Sequence, residues 1–363
     1  MTTPADRAEL VPHDALHRLV TDLFAERGVP PQRAELAAAA LCHGDLCGFD
    51  SHGVFNLERL YLPKFEAGRI DPAAEPEVVT DLGACAAVDA HRALGLWSAA
   101  EAMDDAADRA AEHGIGLVSV RGGTHFGCAG FHAVRAAERG MIGVVASNCG
   151  GQRIAPAPHG ARAVLGTNPL SVAAPALPDH PFLLDMSTTA VPTGKIRTAA
   201  SSGEPIPEGW LSDDAGRPVT DPTAFDAGRA HLNWLGGTAE TGAYKGYGLA
   251  LVVEVLAALL SGSGVGPAAE ALDRGGGTDD DIGFFVLAIA PDRLRTGFGT
   301  DAHALFSALL GCPSTTDAEV RYPGWWEAER ARQRRESGVP VRPQVHRELL
   351  AHGLAVAEPA GGR

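Results

Sequence analysis

A short polar segment, Asp50-Ser51-His52-Gly53, separates two stretches of helical periodicity near the start of the sequence. Histidine gives and takes protons at neutral pH because its unperturbed pKa is about 6.5, and an imidazole beside a glycine in a helix break is accessible to a ligand. His52 is therefore a candidate proton donor or acceptor. The same pattern also fits a segment that only caps a helix, and both interpretations stay open at this point.

Three further polar segments carry residue types suited to ligand binding. Residues 122–127 form a glycine-rich turn that contains His125, and such glycines allow a ligand to approach the backbone closely, although most such turns are only structural. A third segment, Gly-Thr-Asn-Pro at residues 166–169, is followed by an apolar strand that ends in Asp185. A carboxylate at a strand end can orient a histidine, although an aspartate there more often only forms a turn. Lys245 opens an apolar helix, where backbone N–H groups, the helix dipole and the lysine together suit a phosphate.

Motifs of several well-known enzyme classes do not occur in the sequence. The Gly-x-Gly-x-x-Gly turn of a Rossmann fold joins a strand to a helix, but the two loose matches at residues 264–269 and 297–302 lack that context. The sequence contains no Walker loop, no Gly-x-Ser-x-Gly elbow and no His-Glu-x-x-His. Nucleotide hydrolysis, the α/β-hydrolase mechanism and zinc proteolysis therefore have no support.

Composition and charge limit the partners and the compartment. The 363 residues are 45% hydrophobic and 21% charged, with a formal net charge of -15. An acidic chain is poorly suited to nucleic acids or anionic membranes, so neither is expected as a partner. The 6 cysteines include no Cys-x-x-Cys pair, which predicts reduced thiols and no metal site. Neither a signal peptide nor a membrane span is predicted, and we expect a cytoplasmic protein.

Hydrophobic periodicity predicts the elements that hold these segments. Apolar residues recur at three and four positions in residues 14–47, with a break at 28–31 that divides them into two helices, and the same pattern predicts a helix at 57–66. Further helices are predicted at 96–112, 132–139 and 248–260, and strands at 85–88, 115–120, 142–147, 163–165, 182–184 and 284–289. Residues 189–235, rich in Gly, Pro, Ser and Asp, predict an irregular loop. An arginine-rich helix from Trp325 onward is expected to pack on the N-terminal helices.

The predicted fold class is mixed α/β (α+β) with two domains. Residues 1–72 together with 326–363 form a small helical domain made by both ends of the chain. Residues 73–325 form the α/β domain. A chain of 363 residues is longer than one compact core usually organises, which favours such a division.

Taken in order, the polar segments resemble the malate/L-lactate dehydrogenase-like family of NAD(P)-dependent oxidoreductases. This family includes type 2 malate, lactate and ureidoglycolate dehydrogenases, diketogulonate reductase and Δ1-piperideine-2-carboxylate reductase. The resemblance runs from about Leu41 to Gly324. The segments that match the family pattern are residues 50–53, 124–127, 148, 166–169, 185–187, 194–196, 207–210, 245–248 and 321–324. The family lacks a Rossmann fingerprint, which accounts for the missing motif.

The resemblance implies a non-Rossmann NAD(P)-binding mixed-sheet domain and hydride transfer to or from a 2-oxo or 2-hydroxy acid. His52 falls on the proton donor and acceptor, with Ser51 and Asp185 as its polar partners. The residues that fall on or near the cofactor site are His125, Asn148, Thr167, Asn168, Met186, Ser187, Lys195, Lys245, Pro323 and Gly324. The cofactor is NADP or NAD, with NADPH favoured, and the candidate cations for a 2′-phosphate are Arg153, Arg162, Lys195 and Arg197. A small-molecule substrate and a homodimer are implied, and no metal.

One departure from the family pattern concerns the substrate. Many relatives carry an arginine four residues after the motif histidine, and its planar fork suits a carboxylate, but this chain has Asn56 there. Arg59 follows on the same helix, where three added positions rotate its side chain away from that of Asn56 unless the helix shifts. We therefore expect a 2-oxo or imino substrate whose carboxylate is held elsewhere, or one without that group. The alternative function is a cyclic-imine (C=N) reductase in a biosynthetic pathway.

Overall fold

A computed structural model describes residues 8–160, 162–238, 240–265 and 281–355. Its helices are α1 His13–Glu26, α2 Pro31–Cys47, α3 Leu62–Glu66, α4 Gly95–His113, α5 Ala129–Glu138, α6 Thr193–Ser202, α7 Thr223–Asp226, α8 Ala243–Val253, α9 Pro291–Leu294, α10 Phe298–Leu310, α11 Trp325–Ser337 and α12 Pro343–Ala351. Two π-helical turns, Leu57–Tyr61 and Glu254–Leu259, precede α3 and follow α8. The strands are β1 Glu9–Val11, β2 Glu77–Asp81, β3 Cys85–Asp89, β4 Ile115–Gly123, β5 Ile142–Ser147, β6 Ala155–Pro156, β7 Ala163–Leu165, β8 Leu170–Leu177, β9 His180–Met186, β10 Leu211–Ser212, β11 Pro218–Val219, β12 His231–Leu232, β13 Ile282–Ile289 and β14 Val339–Val341.

A seven-stranded sheet organises the described part of the chain. Its strand order is β2-β3-β4-β13-β5-β8-β9, and β3 runs parallel to β4 while the other neighbours are antiparallel. Successive residues of a strand point to opposite faces, so Phe284 and Phe285 in β13 enter different apolar clusters. This architecture confirms the mixed α/β class that the sequence predicts.

Each face of the sheet is covered by helices. On one face α4 and α5 pack against β4, β13, β5 and β8, and the apolar cluster formed there includes Trp97 and Phe284 and continues into α1 and α2. On the other face the π-helical turn after α8 packs on β13 and β5, and an apolar cluster there contains Val253 at the end of α8, Ala257, Phe285 and Ala146. The predicted helices at 96–112 and 248–260 thus become the two covering layers.

The interval 189–235 is more regular than predicted. It contains α6, α7 and a three-stranded sheet in the order β11-β10-β12, so the prediction of an irregular loop is wrong for much of it. A separate apolar cluster, centred on Ile196, Leu211 and Trp234, supports these elements. The abundant glycine and proline residues punctuate short elements here, and the few apolar residues between them suffice to build a small core.

The arginine-rich helix packs where the sequence predicts. α11 lies against α2, and β14 pairs with β1 with Glu9 opposite Val341. The main apolar cluster joins these elements to the sheet, and the division at residues 72 and 326 stays a prediction. Within the described ranges, none of the helices combines the length and the apolar character that crossing a bilayer requires.

Candidate active site

A cavity of about 990 Å³ lies between the turn that carries His52, the turn at residues 122–127 and the start of α6. Its volume is within the range of small-molecule and cofactor sites. Eleven of the fifteen residues predicted for catalysis, cofactor binding and substrate binding line it: Ser51, His52, Asn56, Arg59, His125, Asn148, Thr167, Asp185, Met186, Ser187 and Lys195. The fold therefore brings together most of the polar segments, although they are distant in sequence.

His52 is held in the turn that follows α2. Its main-chain N–H donates to the carbonyl oxygen of Phe49 over 2.8 Å, and its imidazole Nδ1 lies 2.9 Å from the hydroxyl oxygen of Ser51. That contact occupies Nδ1 and leaves Nε2 for proton exchange with a ligand. Burial lowers the pKa of His52 to about 4, since the charged form loses its hydration, so the imidazole is neutral at neutral pH.

His125 lies beside His52 on the wall of the cavity. The two rings are stacked with centroids 6.0 Å apart and an interplanar angle of 22°. Nδ1 of His125 accepts a hydrogen bond from the N–H of Gly127 over 3.3 Å and lies 2.7 Å from the hydroxyl oxygen of Tyr61. The π-helical turn Leu57–Tyr61 thus supplies Tyr61 to fix the orientation of a second imidazole.

Asp185 is at the end of β9, as predicted, and lines the same cavity. Its Oδ2 accepts the N–H of Gly130 over 2.8 Å at the first turn of α5, where the helix dipole favours a negative charge. Burial raises the pKa of Asp185 to about 6. The hydrogen bonds of the described residues do not join Asp185 to His52, so direct support of the imidazole by this carboxylate stays a prediction.

Asn56 and Arg59 have different roles in the structure. Asn56 is only 8% exposed, and its Nδ2 donates to the main-chain oxygen of Ser51 over 2.7 Å. Arg59 lies in the π-helical turn with its guanidinium 5.3 Å from the ring centre of Phe55, and the ion pairs found in the described ranges include none to Arg59. Arg59 lines the cavity from this turn, whose i→i+5 hydrogen bonds give a rotation per residue different from that of an α-helix. Periodicity did not reveal this turn.

Several other cations line the cavity. The 2′-phosphate candidates Arg153 and Lys195 line it, and so does Arg197, which is paired with Asp226 at 2.9 Å. Arg162 is outside the lining. Lys64 is a lining residue that the sequence analysis missed, and it is only 5% exposed. Its spacing of eight residues from Asn56, two helical turns, was a usable signal for a shared face.

Four predicted cofactor residues lie outside the cavity lining: Asn168, Lys245, Pro323 and Gly324. Asn168 is buried and donates to the main-chain oxygen of Ala250 and to Glu254 Oε1, which is a structural role. Pro323 accepts the N–H of Leu183 in β9, and Lys245 is exposed at the start of α8. Contact between these four residues and a cofactor stays a prediction.

The lining of the cavity is compatible with a nicotinamide dinucleotide. Its two imidazoles suit the reacting end of a cofactor–substrate pair, whereas Arg153 and Lys195 suit anionic phosphates. Met186 and Ile282 provide apolar surface in the same cavity for a flat ring. The residues present therefore fit the cofactor that the resemblance implies.

Comparisons with known proteins agree with this geometry. Residues 11–350 match the malate/L-lactate dehydrogenase family. The (2R)-3-sulfolactate dehydrogenase (NADP(+)) of Chromohalobacter salexigens is 36% identical over 331 residues, covering 90% of this chain and 93% of that one. The crystal structure of malate dehydrogenase from Entamoeba histolytica superposes with a TM-score of 0.89 at 26% identity, over 97% of this chain and 100% of the other. The Δ1-piperideine-2-carboxylate reductase of Pseudomonas syringae pvar. tomato gives a TM-score of 0.82 at 25% identity, over 95% and 100%.

Proposed function

Since the chain belongs to the malate/L-lactate dehydrogenase family of NAD(P)-dependent oxidoreductases, we propose that it interconverts a 2-oxo acid and a 2-hydroxy acid with His52 as the proton donor and acceptor. The observation that carries this proposal is the state of His52. It lines the cavity, its Nδ1 is engaged by Ser51, and burial lowers its pKa to about 4. In the proposed state the proton is on Nδ1 and is donated to the Ser51 hydroxyl oxygen, so the lone pair of Nε2 can accept a hydroxyl proton.

The proton and the hydride leave the substrate separately in the oxidative direction. The bound nicotinamide supplies the acceptor for the hydride on the carbinol carbon. Nε2 of His52 takes the hydroxyl proton as the C=O bond forms, and it returns that proton to the oxygen in the reductive direction. A well-placed group of this kind contributes about 10²- to 10⁴-fold in rate. His125 and Ser51 keep the imidazole oriented through stacking and the 2.9 Å contact at Nδ1.

Arg59 is the group that we assign to the substrate carboxylate. It lines the cavity together with His52, and burial and the nearby Arg197 lower its pKa, as expected where positive charges gather. A planar guanidinium forms two parallel hydrogen bonds with a carboxylate. Asn56 instead closes the turn through Ser51. The carboxylate is thus bound from a position three residues after the usual one.

NADPH is the proposed cofactor. Arg153 and Lys195 line the cavity, and the described residues include no carboxylate paired with either, so both cations are available to phosphate groups. The sulfolactate dehydrogenase with 36% identity is named for NADP. We place the enzyme in the cytoplasm, where the reduced state of its cysteines is maintained.

We also propose that two copies form a homodimer. The helical layer formed by α8 and the following π-helical turn exposes apolar side chains along its outer side: Leu251, Val252, Val255, Leu259 and Leu260. Monomeric soluble proteins seldom expose a continuous apolar strip of this kind, and a second copy would cover it with an equivalent strip.

A cyclic-imine substrate is the second candidate. The piperideine-carboxylate reductase with a TM-score of 0.82 shows that this fold is found in a protein named for imine reduction. Asn56 favours the same alternative because the usual arginine is missing. The variant Asn56→Arg tests this: we expect turnover of 2-oxo acids to increase relative to that of the cyclic imine Δ1-piperideine, which has no carboxylate for the new arginine to bind. An unchanged preference would contradict the link between position 56 and the substrate.

The proposed function is tested by a substrate screen. Pyruvate, oxaloacetate, 3-sulfopyruvate and Δ1-piperideine-2-carboxylate are each offered with NADH and with NADPH, and cofactor binding is followed by fluorescence. We expect His52→Gln to lower kcat by about 10²- to 10⁴-fold while the Kd for NADPH stays within about twofold. His113→Gln, at a partly exposed histidine outside the cavity lining, is the matched control. Full turnover by His52→Gln would contradict the proposed role of His52 as proton donor and acceptor.

A further inference from the structure

Asp45 lies directly beneath the turn that carries His52 and has no role in the chemistry described so far. It belongs to the last turn of α2, is only 7% exposed, and accepts the N–H of Val54 on Oδ2 over 2.8 Å. A buried carboxylate is costly unless it is hydrogen-bonded, so its placement under the turn calls for an explanation. Its hydrogen-bond partner is two residues after His52.

The packing around Gly53 shows how closely the carboxylate approaches this turn. A β-carbon added at Gly53 would lie well inside van der Waals contact of the Asp45 carboxylate. Gly53 is not among the glycines with positive φ, so an alanine there meets no backbone strain, and the three atoms nearest to its β-carbon all belong to the Asp45 carboxylate. On α2, a β-carbon at Gly44 would come within 2.8 Å of the carbonyl carbon of His52. The helix and the turn therefore meet backbone to backbone.

α11 holds the same region from its other side. The guanidinium of Arg334 donates to the main-chain oxygen of Asp45 and lies 3.4 Å from Oδ1 of Asp50. Burial raises the pKa of the Asp45 carboxyl to about 7, and the charge of Asp50 acts in the same direction while Arg334 opposes it. An oxygen of Asp45 accepts the N–H of Val54 in either protonation state.

We propose that Asp45 is a positioning residue that fixes His52 in the cavity by holding the backbone of Gly53 and Val54. This inference rests on the proposed role of His52. The N–H of Val54 is buried, and without its acceptor it can regain a partner only if the turn moves. A displacement of about 1 Å at a reacting group can cost about 10²-fold in rate. Asp45 thus acts on catalysis without contact to the cavity.

Two substitutions at position 45 separate this role from a general contribution to stability. Asp45→Asn keeps an oxygen acceptor of the same shape, and we expect its kcat to stay within about threefold of wild type. Asp45→Ala removes the acceptor, and we expect kcat to fall by about 10- to 100-fold with the Kd for NADPH unchanged. Turnover is measured with NADPH and the fastest of pyruvate, oxaloacetate and 3-sulfopyruvate. Hydrogen-exchange mass spectrometry of the NADPH-bound enzyme should show faster exchange at residues 52–56 in Asp45→Ala and wild-type exchange in Asp45→Asn.

Gly53→Ala supplies an independent test of the contact. Alone, it should lower kcat by about 10-fold or more because the added methyl group collides with the carboxylate. In the Asp45→Ala background the same substitution should cause little further loss, since the obstructing atoms are gone. Additive effects in this double-mutant cycle would overturn the inference.

The outcomes also distinguish this inference from the proposed function. Undiminished turnover by His52→Gln would remove the proposed function itself. If His52→Gln is inactive but folded Asp45→Ala turns over at the wild-type rate, only the role of Asp45 is overturned. A lower Tm of Asp45→Ala with unchanged kcat at 25 °C leads to the same conclusion, because it shows a purely structural residue.

Discussion

The side-chain amide of Asn56 donates a hydrogen bond of 2.7 Å to the main-chain oxygen of Ser51, the residue before His52. Position 56, where the family resemblance predicts an arginine, is therefore used here to close a turn of the protein itself. Arg59 faces the cavity instead, from a π-helical turn that begins one residue after Asn56. In the proposed function, Asn56 closes the turn and Arg59 binds the carboxylate.

Asn56→Ala should weaken the turn without weakening substrate binding. Loss of a buried hydrogen bond lowers the free energy of unfolding by about 1 kcal/mol, and the turn at His52 gains freedom. We expect kcat to fall by about 3- to 10-fold while the KM for the 2-oxo acid stays within about twofold. Steady-state kinetics and urea unfolding check this. A large rise in KM with unchanged kcat would show instead that Asn56 contacts the substrate.

Arg59→Met should have the opposite pattern. Removing a charge-assisted bidentate contact costs about 1.5–3 kcal/mol, which corresponds to an increase of about 10- to 150-fold in the KM for a carboxylate substrate. The Kd for NADPH should stay near the wild-type value, and Arg330→Met, outside the cavity lining, is the control. An unaltered KM in Arg59→Met would show that a cation other than Arg59 binds the carboxylate.

The oxidative reaction should remain fast at mildly acidic pH. With a pKa of about 4, His52 is still about 97% neutral at pH 5.5, whereas with a pKa of 6.5 it would be about 9% neutral. We expect kcat/KM for 2-hydroxy acid oxidation to change little between pH 7.5 and pH 5.5. Asp185→Asn is the control, since burial raises the pKa of Asp185 to about 6, within this window. A tenfold loss at pH 5.5 in both proteins would contradict an imidazole with a lowered pKa.

Glu254→Gln should stabilise the protein at alkaline pH. Glu254 is buried, its Oε2 has no hydrogen-bond partner among the described residues, and burial raises its pKa. Because the folded-state pKa is above the unfolded value, stability is lost as pH rises through the folded-state pKa, and glutamine avoids this loss. We expect the free energy of unfolding to increase by about 1 kcal/mol at pH 8, which corresponds to about 2 °C in Tm, and to increase less at pH 5. Calorimetry checks this, with the exposed Glu138→Gln as control.

Val255→Glu should disrupt the proposed homodimer. Val255 is 52% exposed on the apolar outer side of the second π-helical turn, and a charge there would be desolvated on association. Sedimentation velocity should show a dimer for the wild type and mainly monomer for the variant. Leu82→Glu, at a residue 76% exposed in the turn between β2 and β3, should stay dimeric. A monomeric wild type would exclude this assembly.

Much of the fold and of the site could be predicted from the sequence. Amphipathic periodicity gave α1, α2 and α4 within one or two residues, and β5 at Ile142–Ser147 without error. The cavity unites His52, His125 and Asp185 because each follows a strand or helix end that the pattern located. The local sequence pattern is sufficient to locate a helix or strand wherever the buried residues recur with the period of that element.

What the sequence did not reveal depends on contacts between distant residues. The π-helical turn that carries Arg59 has no periodicity of its own, so the sequence does not locate it. Asn168 donates a hydrogen bond to Glu254, 86 positions later in the chain, and no local pattern predicts a contact of this range. Residues 264–269, a loose glycine match, lie largely outside the described residues.

The pairing of β1 with β14, and the bond from Arg334 to the backbone of Asp45, have a consequence for biosynthesis. Arg334 and Asp45 are 289 positions apart, so the hydrogen bond between them, which holds the backbone beneath the His52 turn, cannot form while most of the chain is still being translated. Contacts of such long range also slow folding, because loop closure must precede them. Newly made enzyme should therefore acquire activity in a late step, after the sheet has formed, when the ribosome has released Val341 to pair with Glu9.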